Sequence, residues 1–243
     1  MEIPLRKGDL EAAVDPFGAY LTKFTAAQHD VLFPRTTLST STGLKQRGGC
    51  HVCLPQFSRA GLHPHLDLHG FGRTIPWTVE QRSEDHVRLL ADPEAIRKEN
   101  PVYAHLRATM EVRLGENMLE LRLHLQNTGE SPFDVAPAFH PYFAHAEGEA
   151  LKIDGTLIHP EEPQYEATAY VPTPTTVQLG EYRWAVEHEH LPIAALWTDQ
   201  PGAYFCIEPT HSKTSFTDNE GYLTMRGGEE AVFCFRLLRA ASV

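Results

Sequence analysis

Between Val31 and Val79 the sequence carries Arg35, Lys45, Arg47, Arg59 and Arg73 against a single acid, Asp67. The whole chain has a formal net charge of -11, so this positive island is either a solvated face or a place that concentrates an anion. Its neighbours favour the second reading. Gly48-Gly49 permits close backbone approach, and Pro55-Gln56-Phe57 and His69-Gly70-Phe71 mix stiff, apolar and hydrogen-bonding groups, a mixture that suits a pocket.

Proton-transfer chemistry has three candidate histidines among the fourteen in the chain: His69 in Leu-His-Gly-Phe-Gly-Arg, His140 in Ala-Pro-Ala-Phe-His-Pro-Tyr-Phe, and His211 after Ile-Glu-Pro-Thr. His140 lies where an apolar strand meets a proline and two aromatics, a partly dry setting able to tune an imidazole. Glu208 ends the run Tyr204-Phe205-Cys206-Ile207, and an acid at the end of a buried strand is either paired or functional. Cys50-His51-Val52-Cys53 has the spacing of a redox motif. It lacks a strand-to-helix context and Pro55 follows closely, so Cys50, Cys53, Cys206 and Cys234 read as buried packing residues, with no disulfide scaffold.

The elements that must position these groups are strands. Leu106, Ala108, Met110, Val112 and Leu114 alternate with Arg107, Thr109, Glu111 and Arg113. After Gly115-Glu116-Asn117 the period resumes as Leu119, Leu121, Leu123 and Leu125, which predicts a long antiparallel hairpin with one buried face. Short strands are expected over 10–14, 20–26, 31–33, 77–81, 87–91, 133–139, 176–179, 193–197, 203–207, 222–225 and 232–238. One helix is expected, starting at Asp92-Pro93-Glu94 and stopped by Asn100-Pro101. Prolines 160, 163, 172 and 174 predict loops over most of 147–190, covering an edge or mouth of the sheet. The pattern is that of an all-β chain, a large antiparallel sandwich or barrel forming one domain over residues 1–243.

Composition narrows the partners. A hydrophobic fraction of 42%, a charged fraction of 22% and a pI near 5.7 describe an ordinary globular chain and argue against nonspecific nucleic-acid binding. No apolar run reaches membrane-spanning length and Met1-Glu2-Ile3-Pro4 does not open a signal peptide, so cytoplasmic residence is expected.

Four blocks in order, Arg47-Gly48-Gly49 to Pro55-Gln56-Phe57, His69-Gly70-Phe71-Gly72-Arg73 with Trp77, His140-Pro141-Tyr142-Phe143, and Cys206-Ile207-Glu208-Pro209, resemble the aldose 1-epimerase (mutarotase) superfamily. The Arg-Gly-Gly and Pro-Gln-Phe elements look most like its glucose-6-phosphate 1-epimerase branch. The resemblance implies the large antiparallel β-sandwich of galactose mutarotases. It also implies interconversion of the α and β anomers of an aldohexose or hexose 6-phosphate, without metal or organic cofactor. On the family pattern His140 is the general acid at the ring oxygen, Glu208 the general base at the anomeric hydroxyl, and His69 a second pocket histidine. Arg47 and Arg73 lie near the substrate's phosphate, and Gln56 is a further substrate-binding residue.

This chain departs from the pattern in being short between His140 and Glu208, where a sugar-binding aspartate usually lies; Asp154 and Asp199 are the candidates. Cys50-His51 replaces an apolar-proline pair, and the Leu-Trp-Thr-Asp run at Trp197 is similar to mutarotases of unphosphorylated sugars. Two other classes remain. One is a non-catalytic sugar-binding sandwich with Trp77, Tyr142 and Trp197 as stacking faces. The other is a metal enzyme built on His63-Pro64-His65-Leu66-Asp67-Leu68-His69, weakened by the proline between its first two ligands.

Overall fold

The computed structural model describes residues 1–40, 43–58, 66–213 and 221–240. Two nine-stranded sheets face each other. The first runs Ile3–Lys7, Leu10–Asp15, Tyr20–Ala26, His29–Leu32, Ala138–Ala144, Tyr204–Thr210, Ile193–Trp197 and Ala169–Pro172, with Cys50–Cys53 set between Tyr20–Ala26 and Ala138–Ala144. The second runs Thr156–Ile158, Leu151–Ile153, Thr176–Leu179, Tyr182–Glu189, Glu230–Arg239, Met118–Asn127, Leu106–Leu114, His86–Ala91 and Trp77–Arg82. Both sheets are antiparallel throughout their strand pairings, which is the sandwich expected from period-two alternation.

The central hairpin pairs Leu106 with Asn127 through to Leu114 with Leu119, and Gly115 N–H closes it on the Met118 carbonyl. Its apolar row meets the first sheet across one continuous core, where Phe24 packs edge-on against Trp184 at 5.7 Å and Phe139 stacks on Phe235 at 6.4 Å. The helix spans Pro93–Glu99, with the Asp92 carboxylate accepting from the N–H groups of Glu94 and Ala95, as its sequence predicts. All four cysteines are buried and free.

The reading of 147–190 as loops is corrected. Leu151–Ile153 and Thr156–Ile158 form a hairpin, Tyr182–Glu189 continues the second sheet, and Ala169–Pro172 is the edge of the first. The prolines do not break these strands: Pro160, Pro163 and Pro174 lie between them and Pro172 closes an edge strand, where a missing N–H costs no ladder bond. Residues 133–139 are two elements, Phe133–Val135 and the start of Ala138–Ala144, split at Ala136-Pro137. Among the described residues no helix is long and apolar enough to cross a membrane.

Candidate active site

Alternation on the first sheet places the chemistry. Val52, Phe139, Phe143, Phe205, Ile207, Ala194 and Leu196 point into the sandwich, so their neighbours in sequence point outward. In register across the outer face lie His51, His140, Glu208, Ala195 and Tyr170: His140 pairs with His51, Ala195 with Glu208 and with Tyr170. The pairs Ala138–Thr210 and Tyr142–Cys206 bracket His140 opposite Glu208. The side chains around this row are small or aromatic: Cys53, Phe57 and Ala138 pack with Ala195 on one side, and Tyr142, Tyr204 and Cys206 pack together on the other. Small side chains leave a floor, and the result is a cleft of about 390 Å³ lined by Lys45, Arg47, His69, Arg73, His140 and Glu208, walled by Tyr142, Tyr170 and Trp197.

The ladder between the two central strands is interrupted between Ala138–Thr210 and Tyr142–Cys206, where Pro141 and Pro209 each follow the polar residue. Neither proline can donate a backbone hydrogen bond, so the two sequences His-Pro and Glu-Pro relax the sheet where the site sits. His140 Nε2 stands 3.2 Å from Glu208 Oε2, both side chains being about 95% or more buried. This approach is not aligned as a hydrogen bond, and His140 Nδ1 and Glu208 Oε2 have no hydrogen-bond partner among the described residues.

Two other histidines complete the cluster. His69 adopts φ 67, and Gly70 follows at φ 66, where a Cβ would lie 2.2 Å from the Leu54 carbonyl oxygen. That turn carries the imidazole into the cleft, 5.2 Å from the His140 ring centroid. The Ser58 N–H donates to His69 Nδ1 at 3.1 Å, so the neutral ring carries its proton on Nε2. Burial, then the Arg73 charge, pull the His69 pKa down to about 3, which keeps it a neutral donor. His51 was missed as a site residue: its ring lies 4.5 Å from that of His140, and Arg73 Nη1 approaches its Nε2 at 3.2 Å. Arg73 can only donate, so His51 accepts there and is neutral with its proton on Nδ1. The signal was its place in an apolar four-residue run immediately after Gly-Gly.

Gly49 makes that delivery possible. It has φ 66, its N–H donates to the Phe33 carbonyl at 2.6 Å, and a Cβ would lie 2.1 Å from the Leu21 carbonyl oxygen. Gly49→Ala combines left-handed strain with a backbone clash, and we expect a loss of on the order of 3 kcal/mol in denaturant unfolding. A loss below about 1 kcal/mol would mean the neighbouring strand moves away freely.

The guanidiniums differ in their partners. Arg47 lies 5.2 Å over the Trp197 ring and is paired with Asp199 through Nη2 at 2.6 Å, while Tyr204 O–H donates to the same carboxylate. The Arg47 and Tyr204 donors hold Asp199 below the usual carboxylate range in spite of its partial burial. Arg73 donates to His51 and, through Nη2 at 3.0 Å, to the Leu68 carbonyl, so among the described residues no carboxylate neutralises it. Of the two aspartate candidates, Asp199 pairs with Arg47, which lines the cleft. Asp154 is a turn cap on the second sheet, accepting from the N–H groups of Thr175 and Thr176.

Gln56 does not line the cleft. It is fully buried, its Nε2 donates to the carbonyls of Ser58 and Asp67, and it braces the loop that carries His69. His211 is outside the cluster, bonded to the His190 carbonyl and packed edge-on to Phe233. Trp77 is buried with its N–H on the Gly72 carbonyl, so it offers no stacking face; Tyr142 and Trp197 do line the cleft. Arg59, His63 and His65 lie outside the described residues.

Burial acts on His140 and Glu208 in opposite directions. It pushes His140 well below the ordinary imidazole value, helped by His69 and Arg73, and pushes Glu208 well above the ordinary carboxylate value, partly countered by Arg73. Both shifts disfavour the charged forms, and the state in which the pair holds one titratable proton between them is net neutral.

The large antiparallel sandwich is the fold of solved galactose mutarotase-like proteins. A galactose mutarotase related enzyme of Lactobacillus acidophilus superposes with a TM-score of 0.75 at 15% identity, covering 100% of this chain and 98% of its own. The aldose epimerase homologue of C. elegans gives 0.68 at 13% identity over 100% and 99%. The sequence profile of the aldose 1-epimerase family matches residues 1–194, and the chain belongs to that family. It is 32% identical over 145 residues to a protein of Salmonella typhimurium (strain LT2) provisionally named glucose-6-phosphate 1-epimerase, the match covering 57% of this chain and 46% of that protein. The chain thus spans about half the length of the curated relatives it matches.

Proposed function

We propose that this chain interconverts the α and β anomers of a hexose 6-phosphate by acid–base ring opening and reclosure, with Glu208 as base and His140 as acid. The observation that carries this reading is the buried pair itself, 3.2 Å apart in a cleft sized for a small ligand. The two groups lie side by side. Ring oxygen and anomeric hydroxyl are substituents of one carbon, so adjacent groups can serve both. Glu208 takes the hydroxyl proton as His140 protonates the ring oxygen, the C1–ring-oxygen bond breaks, rotation about C1–C2 presents the other carbonyl face, and the two transfers run backwards. Neutral His69, with its proton on Nε2, is placed to donate to one of these oxygens without competing for the proton.

The phosphate assignment is supported by charge. Lys45, Arg47 and Arg73 line the cleft of a protein with formal net charge -11, and Lys45 and Arg73 have no carboxylate partner among the described residues. The experiment is anomer equilibration of glucose 6-phosphate, glucose and galactose, each from a pure anomer with the spontaneous rate subtracted. The phosphorylated sugar should have the highest kcat/KM, and Lys45→Ala should raise KM for it while leaving KM for the free sugars within about twofold. A preference for free glucose or galactose would overturn the phosphate assignment.

The protonation state sets the pH dependence. Below the lower apparent pKa the pair takes a second proton and lacks a base; above the upper one it loses its proton and lacks an acid. Burial disfavours both charged forms, so kcat/KM should show a plateau through neutrality that falls on each side. A profile rising or falling steadily between about pH 6 and 8 would contradict a shared proton.

A further inference from the structure

Cys206 takes no part in the proposed proton transfer, yet it is placed with the two groups that do. It lies two residues before Glu208 on one strand, so the two side chains share a face, and its cross-strand partner is Tyr142, two residues after His140. An imidazole nitrogen of His140, the thiol sulfur of Cys206 and a carboxylate oxygen of Glu208 lie within 4.8 Å of one another, all three residues buried. His140 Nδ1 and Glu208 Oε2 are buried polar atoms without a hydrogen-bond partner among the described residues. We propose that these three side chains form a site for a thiophilic divalent cation, zinc or cadmium, which inhibits the protein by occupying its acid–base pair. The binding half of this proposal stands on the cluster alone; the inhibition half rests on the function proposed above.

The donor set decides the ion. Thiolate sulfur, imidazole nitrogen and carboxylate oxygen suit zinc, whereas magnesium and calcium seek sets of oxygen ligands. Zinc bonds of about 2.3 Å to sulfur and about 2.0–2.2 Å to nitrogen and oxygen place ligand atoms roughly 3.3–3.7 Å apart in a tetrahedron. With all three within 4.8 Å, no separation has to close by more than about 1 Å, a side-chain adjustment on strands whose register is already fixed. Glu208 lines the cleft and His140 faces it, which leaves a fourth position open towards that space, the arrangement of three protein ligands and one exchangeable one. Thiolate and carboxylate together balance the ion's two charges, so the buried unit is neutral.

Protons balance as follows. The S–H bond of Cys206 breaks as sulfur binds the metal, and its proton leaves to solvent. The single titratable proton of the His140–Glu208 pair leaves as well, giving two protons per ion. Affinity should accordingly rise about a hundredfold per pH unit near neutrality. An ion held this way removes the base and the acid in one event, and a sugar would have to displace it.

The probe is cobalt(II), added to the whole metal-free protein. One equivalent should produce a thiolate-to-cobalt charge-transfer band in the near ultraviolet with the visible bands of four-coordinate cobalt, and zinc should abolish both stoichiometrically. The charge-transfer band should vanish in Cys206→Ser and in Cys206→Ala, each checked for native circular dichroism, and persist in Cys53→Ser, whose thiol lies by His51. No charge-transfer band at one equivalent, or a band that survives both Cys206 substitutions, would overturn the site. Stoichiometric zinc should also stop anomer exchange by the unaltered protein, with Cys206→Ser at least about a hundredfold less sensitive. If the protein exchanges no anomers, the functional proposal falls and the cobalt spectrum still decides the site.

Discussion

Glu208→Gln should lower kcat for anomer interconversion by about 100- to 10,000-fold, the usual worth of a general base, while leaving the fold intact. Glutamine keeps the shape of the side chain and its place on the buried strand, but it cannot take the anomeric proton. His140→Asn should cost a similar factor, since asparagine retains a hydrogen-bonding group and loses the transferable proton. In the proposed mechanism both groups serve one event across 3.2 Å, so the double substitution should lose far less than the product of the single losses. Near-normal turnover in Glu208→Gln on folded protein would move the base elsewhere and revive the reading of a non-catalytic sugar-binding sandwich.

Arg73→Ala should raise KM for a hexose 6-phosphate by roughly 30- to 1,000-fold, the factor that follows from losing about 2–4 kcal/mol when one member of a desolvated charge contact is truncated. Its effect should not stop at binding. Arg73 fixes the His51 tautomer and lowers the proton affinities of both His140 and Glu208. Removing the positive charge raises both, so each limb of the kcat/KM profile should move to higher pH. Arg47→Ala should differ, because Arg47 is already neutralised by Asp199 and would leave that carboxylate unpaired beside Trp197. An Arg73→Ala variant with unchanged KM for the phosphorylated sugar would place the phosphate elsewhere in the cleft.

Much of this was legible in the chain, and the reasons are local. The 106–125 hairpin could be read because every second residue is large and apolar over two long strands, a signal that survives without tertiary information. The helix could be read from a cap, a proline and a stop within nine residues. His140 and Glu208 stood out because each is a polar residue at the end of an apolar run and just before a proline. What escaped is what depends on distant partners. The strands Leu151–Ile153 and Thr156–Ile158 are three residues each, too short for a period to declare itself, and exist because the sheet edge beside Thr176–Leu179 templates them. His51 carried no label in sequence beyond its buried surroundings; its meaning comes from Arg73, 22 residues on, and His140 across the ladder. The Arg47–Asp199 pair joins residues 152 apart. A glutamine in a family motif says nothing about which way its amide points, and that of Gln56 points into its own loop.

The most direct measurement is anomer exchange at equilibrium, read by magnetisation transfer between the α and β anomeric protons of glucose 6-phosphate at a fixed catalytic concentration of the protein. The account predicts exchange far faster than in buffer with the unaltered chain, and exchange at or near the buffer rate with Glu208→Gln. Exchange no faster than in buffer, for glucose 6-phosphate and for free glucose and galactose alike, would contradict it.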